Sequence, residues 1–151
     1  MDAVTYPTKK VIDFLNENVI ALKIPSDQLP ESADFKVQWT PALFILDQDG
    51  GEHQRSIGFR NPDELIPSIL LGIGNMYFHQ DNFQEAINYF EKILAAHPHS
   101  DAVPEAVFQT GVSRFKSSND PIPLREAYEQ LLRDFPENSW TKRAVPYRLI
   151  Q

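Results

Sequence analysis

Apolar residues recur at helical spacing over much of the chain. Leu70, Ile73 and Tyr77 share one helix face, and Ala86, Phe90, Ile93 and Leu94 share the next. Between them Gln80-Asp81-Asn82-Phe83 reads as a short polar turn, and Pro98 ends the second helix because it cannot continue one. A weaker copy of this pattern runs from Val107 to Asn138 and closes on Pro136. The first third has another texture. Thr8 to Asn18 predicts a helix with Val11, Phe14 and Leu15 on one face, followed at once by Val19–Ile24, a largely apolar run of strand length. Pro25 to Phe35 is polar, carries two prolines and reads as loop with one short helical turn. Ala42–Leu46 predicts a second buried strand, and His53–Phe59 a third that pairs back through Asp47-Gln48-Asp49-Gly50-Gly51, where Asp-Gly supplies the positive φ of a tight primed turn. Asn61 is placed to cap the next helix with Pro62 in its first turn, and Pro67 should kink or restart it. Ser139 should cap a last helix from Trp140 to about Ile150, bent or limited by Pro146.

The order Leu70, Ile73-Gly74, Tyr77, Ala86, Phe90, Pro98 resembles the tetratricopeptide signature, with Leu70 in the Trp place and Ile73 in the Leu place. In the second copy Gly111 answers Gly74, Leu124 stands for Ala86, Tyr128 for Phe90 and Pro136 for Pro98; one added residue is assigned to the turn Ser117-Ser118-Asn119-Asp120-Pro121. Small residues are needed where two helices cross, so Gly74 and Ala86 let the backbones approach while Tyr77, Phe90, Ile93 and Leu94 fill the surroundings. Two unrelated helical hairpins would give a similar pattern. The resemblance implies a scaffold that holds other proteins. Its concave face would be lined by Leu71, Asn75, Phe78 and His79, then by Glu105, Phe108, Val112, Phe115 and Lys116. Asn75 matches an Asn with which some family members grip a peptide backbone or carboxylate, but Val112 in the second copy does not support a full carboxylate clamp. Phe78, Phe108 and Phe115 read equally as core between neighbouring helices.

Composition narrows the partners. Twenty-one acidic against 14 basic side chains give a formal charge of −7, which argues against nucleic acid or an anionic membrane, since both need a basic face. No apolar run approaches the ~20 residues that span a bilayer. The first residues lack a charged stretch followed by an apolar one, so a cytoplasmic location is expected. With 42% hydrophobic residues a buried core is ample, and the absence of cysteine excludes thiolate chemistry within these 151 residues.

The amino-terminal order is helix, strand, loop, Trp39-Thr40-Pro41, strand, Asp49-Gly50 hairpin, strand, Gly58-Phe59, helix. It resembles the second half of a thioredoxin fold. Met1 to Tyr6 and Val11 to Val19 resemble the stretch after the Cys-x-x-Cys of bacterial thioredoxin-like proteins that carry tetratricopeptide repeats. The resemblance implies a cis bond before Pro41 and places Trp39, Thr40 and Pro41 beside the catalytic sulfurs; an ordinary trans Pro starting a strand is the plainer alternative. It also implies a Cys-x-x-Cys and a central strand upstream of Met1. Without that strand the flanking pair would close up, receive a strand from another chain and so form a homodimer, or mark the chain as a shortened form of a longer protein. The last is expected.

The fold class expected is therefore α+β: a partial, three-stranded thioredoxin-like α/β unit (residues 1–66), then a stack of tetratricopeptide hairpins (67–100 and a divergent 101–138) and a capping helix (139–151). No nucleophile, base and oxyanion donors converge. His97-Pro98-His99 matches no metal spacing, Asp47-x-Asp49-Gly50 lacks the later Glu of a calcium loop, and Gly72 and Gly74 are too few to cradle phosphate. No cofactor or metal is expected, and no catalysis by this chain as it stands. The expected function is a non-catalytic protein-interaction module that binds a protein or peptide through Leu71, Asn75, Phe78, Phe108 and Phe115, with Trp39, Thr40 and Pro41 as a second contact region. The rival is a thiol–disulfide oxidoreductase whose cysteine pair lies upstream.

Overall fold

The computed structural model describes residues 1–25 and 35–151. Most of the loop expected at Pro25 to Phe35 lies outside the described residues. Among them are six α-helices, one two-stranded sheet and a final 3₁₀ turn. Helix α1 (Lys9–Asn18) follows an N-terminal coil in which the Thr5 hydroxyl, fully buried, donates to the Arg60 carbonyl at 2.7 Å. Strands β1 (Ala42–Leu46) and β2 (Glu52–Ile57) form an antiparallel hairpin.

Helices α2 (Pro62–His79), α3 (Phe83–Ala96), α4 (Val103–Ser118) and α5 (Ile122–Asp134) then stack in sequence, each packed on the next. Asn61 Oδ1 caps α2 by accepting from the N–H groups of Asp63 and Glu64 at 2.9 Å each, and both acids also sit favourably at the positive end of the helix dipole. Helix α6 (Ser139–Ala144) passes directly into a 3₁₀ turn, Val145–Leu149.

The three-stranded unit expected from the sequence is corrected to a two-stranded sheet among the described residues. Val19–Ile24 is not a strand: only Val19 packs against the core, while Ile20 and Leu22 face solvent. A β-branched run becomes a strand only when a neighbouring ladder takes up its backbone N–H and C=O groups, and among the described residues no strand pairs with this one. The hairpin turn also differs from the expected tight primed form. Gly50 N–H donates to the Asp47 carbonyl, and Gly50 alone in the loop has positive φ (82°), so the chain turns over Asp47–Gly50 and needs one left-handed glycine. The Asp47 carboxylate accepts from Asp49 N–H (3.0 Å) and Gly51 N–H (2.7 Å) and fastens the loop. A register irregularity opposite Ile45 and Leu46 leaves His53 as the extra residue of β2.

Pro67 does not restart α2: the helix is continuous from Pro62 to His79 with Pro67 inside it. The ring forgoes one hydrogen bond, to the carbonyl of Asp63 near the exposed helix start, and it is fully buried, so burial of its apolar surface offsets the loss. At the other end Asn138, not Ser139, is the cap, accepting from Trp140 N–H at 2.9 Å, and the helix tightens at Val145 into the 3₁₀ turn that contains Pro146.

The core runs along the helix crossings. A Cβ at Gly74 would lie 2.4 Å from the Phe90 ring, so that ring packs directly on the α2 backbone. In the second crossing it is Ala127, one residue before the expected Tyr128, that faces Gly111: a Cβ there would lie 2.6 Å from the Ala127 Cβ and 2.8 Å from the Pro123 carbonyl oxygen. Tyr128 does correspond to Phe90 when counted back from the equivalent helix ends at Phe135 and His97. The phase differs because the second hairpin closes on a methyl group where the first closes on a ring.

Candidate functional site

The hairpin lies across α2. Gly72 makes this possible, since a Cβ there would lie 2.4 Å from Ile45 Cγ1 and 3.0 Å from its Cβ. Leu43 and Ile45 of β1 turn toward the helices, and β2 runs alongside α2. Between β2, α2 and the start of α4 a polar cleft of about 340 Å³ remains. On its floor a chain of amides joins three elements. Gln54 Nε2 donates to the Ser68 carbonyl at 3.1 Å, and Asn75 Nδ2 donates to Gln54 Oε1 and to Glu105 Oε1, each at 3.3 Å. Asn75 is only 7% exposed, and its Oδ1 is buried with no partner. Burial raises the Glu105 carboxyl above the usual carboxylate range, with the Asn75 hydrogen bond acting in the opposite direction. At the mouth the Glu64 carboxylate accepts from the Ser100 hydroxyl (2.8 Å) and from Asp101 N–H, tying the start of α2 to the turn before α4.

Of the residues expected from sequence, Leu71 and Asn75 line this cleft. Phe78 lies at the far end of α2 with its ring edge-on to Phe83, 5.6 Å away. Phe108 is covered by the carboxyl terminus, its ring tilted against Trp140 at 5.1 Å and stacked with Tyr147 at 5.7 Å. Phe115 is half-buried near the end of α4, where its carbonyl accepts from the left-handed cap Asn119. Trp39 is 71% exposed and lines a separate shallow recess of about 280 Å³ with Phe44 and Ile57; Arg55 borders both spaces. Thr40 is exposed and Pro41 half-buried, their peptide bond is cis, and the Pro41 carbonyl accepts from Gly58 N–H. The eight residues therefore do not form one site. Gln54, Ser68, Glu64 and Asp101 were missed, because each enters the cleft through packing between distant segments and none carries a periodic signal of its own.

A second cluster joins hairpin to helix end. His53 Nε2 lies 2.8 Å from Asp47 Oδ2, and His53 Nδ1 lies 2.9 Å from His79 Nδ1, the two rings stacked. One imidazole must donate and the other accept, so both cannot be protonated at this spacing. Desolvation, and then the nearby His53, hold His79 below the usual histidine range. The hydrogen bond from His53, supported by the Gly51 N–H, holds Asp47 below the usual carboxylate range.

With this geometry established, the comparisons with known proteins fall on one part of it. Residues 67–100 match the tetratricopeptide repeat family model. The match begins at Pro67 inside α2 and ends at Ser100, spanning the crossing of Gly74 and Phe90. Helices α4 and α5 continue the stack as a second hairpin. Tetratricopeptide repeats generally mediate protein–protein interaction, and that is the class of function the match indicates. No curated protein and no solved structure matches the chain.

Proposed function

We propose that this chain is a non-catalytic protein-interaction module whose helical stack receives a segment of a partner protein in the cleft between β2, α2 and α4. The observation that carries this reading is the match of residues 67–100 to the tetratricopeptide repeat together with the cleft of about 340 Å³ that Leu71 and Asn75 of that repeat help to line. The amino-terminal segment, similar in order to the second half of a thioredoxin fold, walls the cleft through Gln54 and does no chemistry. The test is affinity capture from cell extract, followed by hydrogen-exchange footprinting of the captured complex. Protection of α2 and the start of α4 is expected; protection confined to the Trp39 recess would refute the assignment.

The outer edge of β1 favours a second reading. Among the described residues β1 pairs only with β2, and Trp39, Ile57 and Phe59 are exposed near the hairpin. An added strand there, from upstream sequence bearing a Cys-x-x-Cys or from a second copy of the chain, would make the hairpin part of a larger sheet. In-frame coding sequence for such a strand would favour a thiol–disulfide oxidoreductase, and a dimer in light scattering would favour the second copy.

A further inference from the structure

Three titratable side chains, Asp47, His53 and His79, meet where the hairpin rests on the end of α2. Their tautomers follow from their partners. Asp47 Oδ1 accepts two backbone N–H groups, and the carboxylate is held ionised, so Oδ2 can only accept. Neutral His53 therefore presents Nε2–H to Asp47 and keeps a bare lone pair on Nδ1. The proton between the two Nδ1 atoms, 2.9 Å apart, then belongs to His79. Two imidazole nitrogens aimed at one proton are also two nitrogens aimed at one ion. Three features suit them to that exchange. The bulge makes His53 the extra residue of β2, and a bulge re-aims a side chain out of the regular ladder. Its side chain is 10% exposed and is fixed from behind by Asp47, the carboxylate–histidine pairing that orients an imidazole ligand and raises its basicity. His79 closes α2, where the negative end of the helix dipole favours a cation. It is exposed, and the contact with His53 is its single hydrogen bond among the described residues. An entering ion thus meets one fixed ligand and one that can swing.

We propose that His53 and His79 form a two-histidine site for a divalent ion of the zinc, copper and nickel class, which replaces the shared proton and staples the hairpin to α2. Imidazole suits these ions, whereas magnesium and calcium prefer oxygen ligands. Both Nδ1 atoms bind the ion. The proton displaced from His79 Nδ1 is taken up at its Nε2, so the ring stays neutral and no net proton is lost. A tetrahedral zinc with bonds of about 2.0–2.1 Å would set its two nitrogens about 3.3 Å apart, so the pair opens by about 0.4 Å through a swing of the exposed His79 ring. No group of three or more His, Asp or Glu side chains converges on a metal position among the described residues, so water completes the shell and the ion is exchangeable. This site needs no partner protein and stands independently of the peptide-binding reading.

The test adds zinc chloride to the ¹⁵N-labelled full chain, up to about 1 mM, and follows the ring nitrogens of all four histidines by NMR. The pH is held at about 7.5, above the ordinary histidine range. A joint shift of the His53 and His79 Nδ1 signals is expected, with His79 Nε2 changing from bare to protonated and the Glu52–Gln54 amides exchanging more slowly. Magnesium chloride at the same concentration should move none of them. Asp47→Asn keeps Oδ1 for the Asp49 and Gly51 N–H groups but turns an amide group toward His53 Nε2, which must then accept. His53 Nδ1 thereby carries the proton and cannot ligate, so zinc affinity should fall about 10–100-fold with the backbone spectrum retained. His79→Gln should abolish the paired shift. Zinc shifts confined to His97 and His99, or to one ring of the pair, would overturn the site. So would the absence of any shift, an equal response to magnesium, or unchanged affinity in Asp47→Asn. If either variant fails to fold, the ring nitrogens of the native chain decide alone.

Discussion

From Pro62 onward each helix packs on the next, and two of the crossings are made where a glycine meets a ring or a methyl group, Gly74 on Phe90 and Gly111 on Ala127. Before Asn61 the chain is organised differently. Helix α1 and the β1–β2 hairpin bury one face each, and both bury it against α2. The Phe44 side of the hairpin, together with Trp39, Ile57 and Phe59, faces a shallow recess or solvent. The carboxyl part thus resembles a repeat array, stabilised by nearest neighbours, whereas the amino part depends on a single helix of that array for its shape. The comparison predicts an asymmetry: damage to the stack should reach the hairpin, and damage to the hairpin seat should spare the stack.

The largest effect is expected from Phe90→Ala. This ring is fully buried against Gly74, and its removal should lower stability by about 3–5 kcal/mol, with hairpin and helices unfolding in one denaturant transition. Separate transitions would break the proposed dependence. Gly111→Ala should follow at about 1–3 kcal/mol, because the added methyl meets the Pro123 carbonyl, which can yield only if the backbone shifts. Gly72→Ala sharpens the contrast. The methyl would drive Ile45 and with it the hairpin from α2, so hydrogen exchange of β1 and β2 amides should accelerate while helical circular dichroism is retained. If α3 and α5 lose protection equally, the two parts are one cooperative unit.

The smallest effect concerns pH. His79 has a folded-state pKa below its unfolded value of about 6.5, so it contributes stability above that pH and loses it as acidification protonates the ring toward the depressed folded value. The 2.9 Å contact between the two Nδ1 atoms needs one ring to accept, so it is lost in any state in which both of these nitrogens carry a proton. Amides of Glu52–Gln54 should therefore exchange faster between pH 6.5 and 5 than exposure alone explains, and His79→Gln should flatten that dependence.

How far the sequence reveals this depends on whether an interaction repeats. The crossing at Gly74, Ala86 and Phe90 is legible because helix period and small-residue spacing encode it locally. The Asp47–Gly51 turn is legible in place but not in type, since Asp-Gly suits both a primed turn and a longer loop closed by one left-handed glycine. Val19–Ile24 has strand composition, but composition does not supply a neighbouring ladder, and Ile20 and Leu22 remain in water. The cleft is half legible: Leu71, Asn75 and Glu105 follow from repeat spacing, whereas Gln54 and Ser68 enter through the seating of a strand on a helix. Phe108 could not be assigned because a ring at a concave position serves equally as ligand contact or as a seat for Trp140 and Tyr147.

The hydrogen-bonded chain from Ser68 through Gln54 and Asn75 to Glu105 has a mechanical corollary. Whatever enters the cleft bears on Gln54, which lines it, and Gln54 belongs to the strand whose neighbour, Arg55, borders the opposite recess. Occupancy on one side would thereby alter the footing of the Trp39 side, giving a molecule with no long internal lever a means of reporting capture across the thickness of a single ribbon.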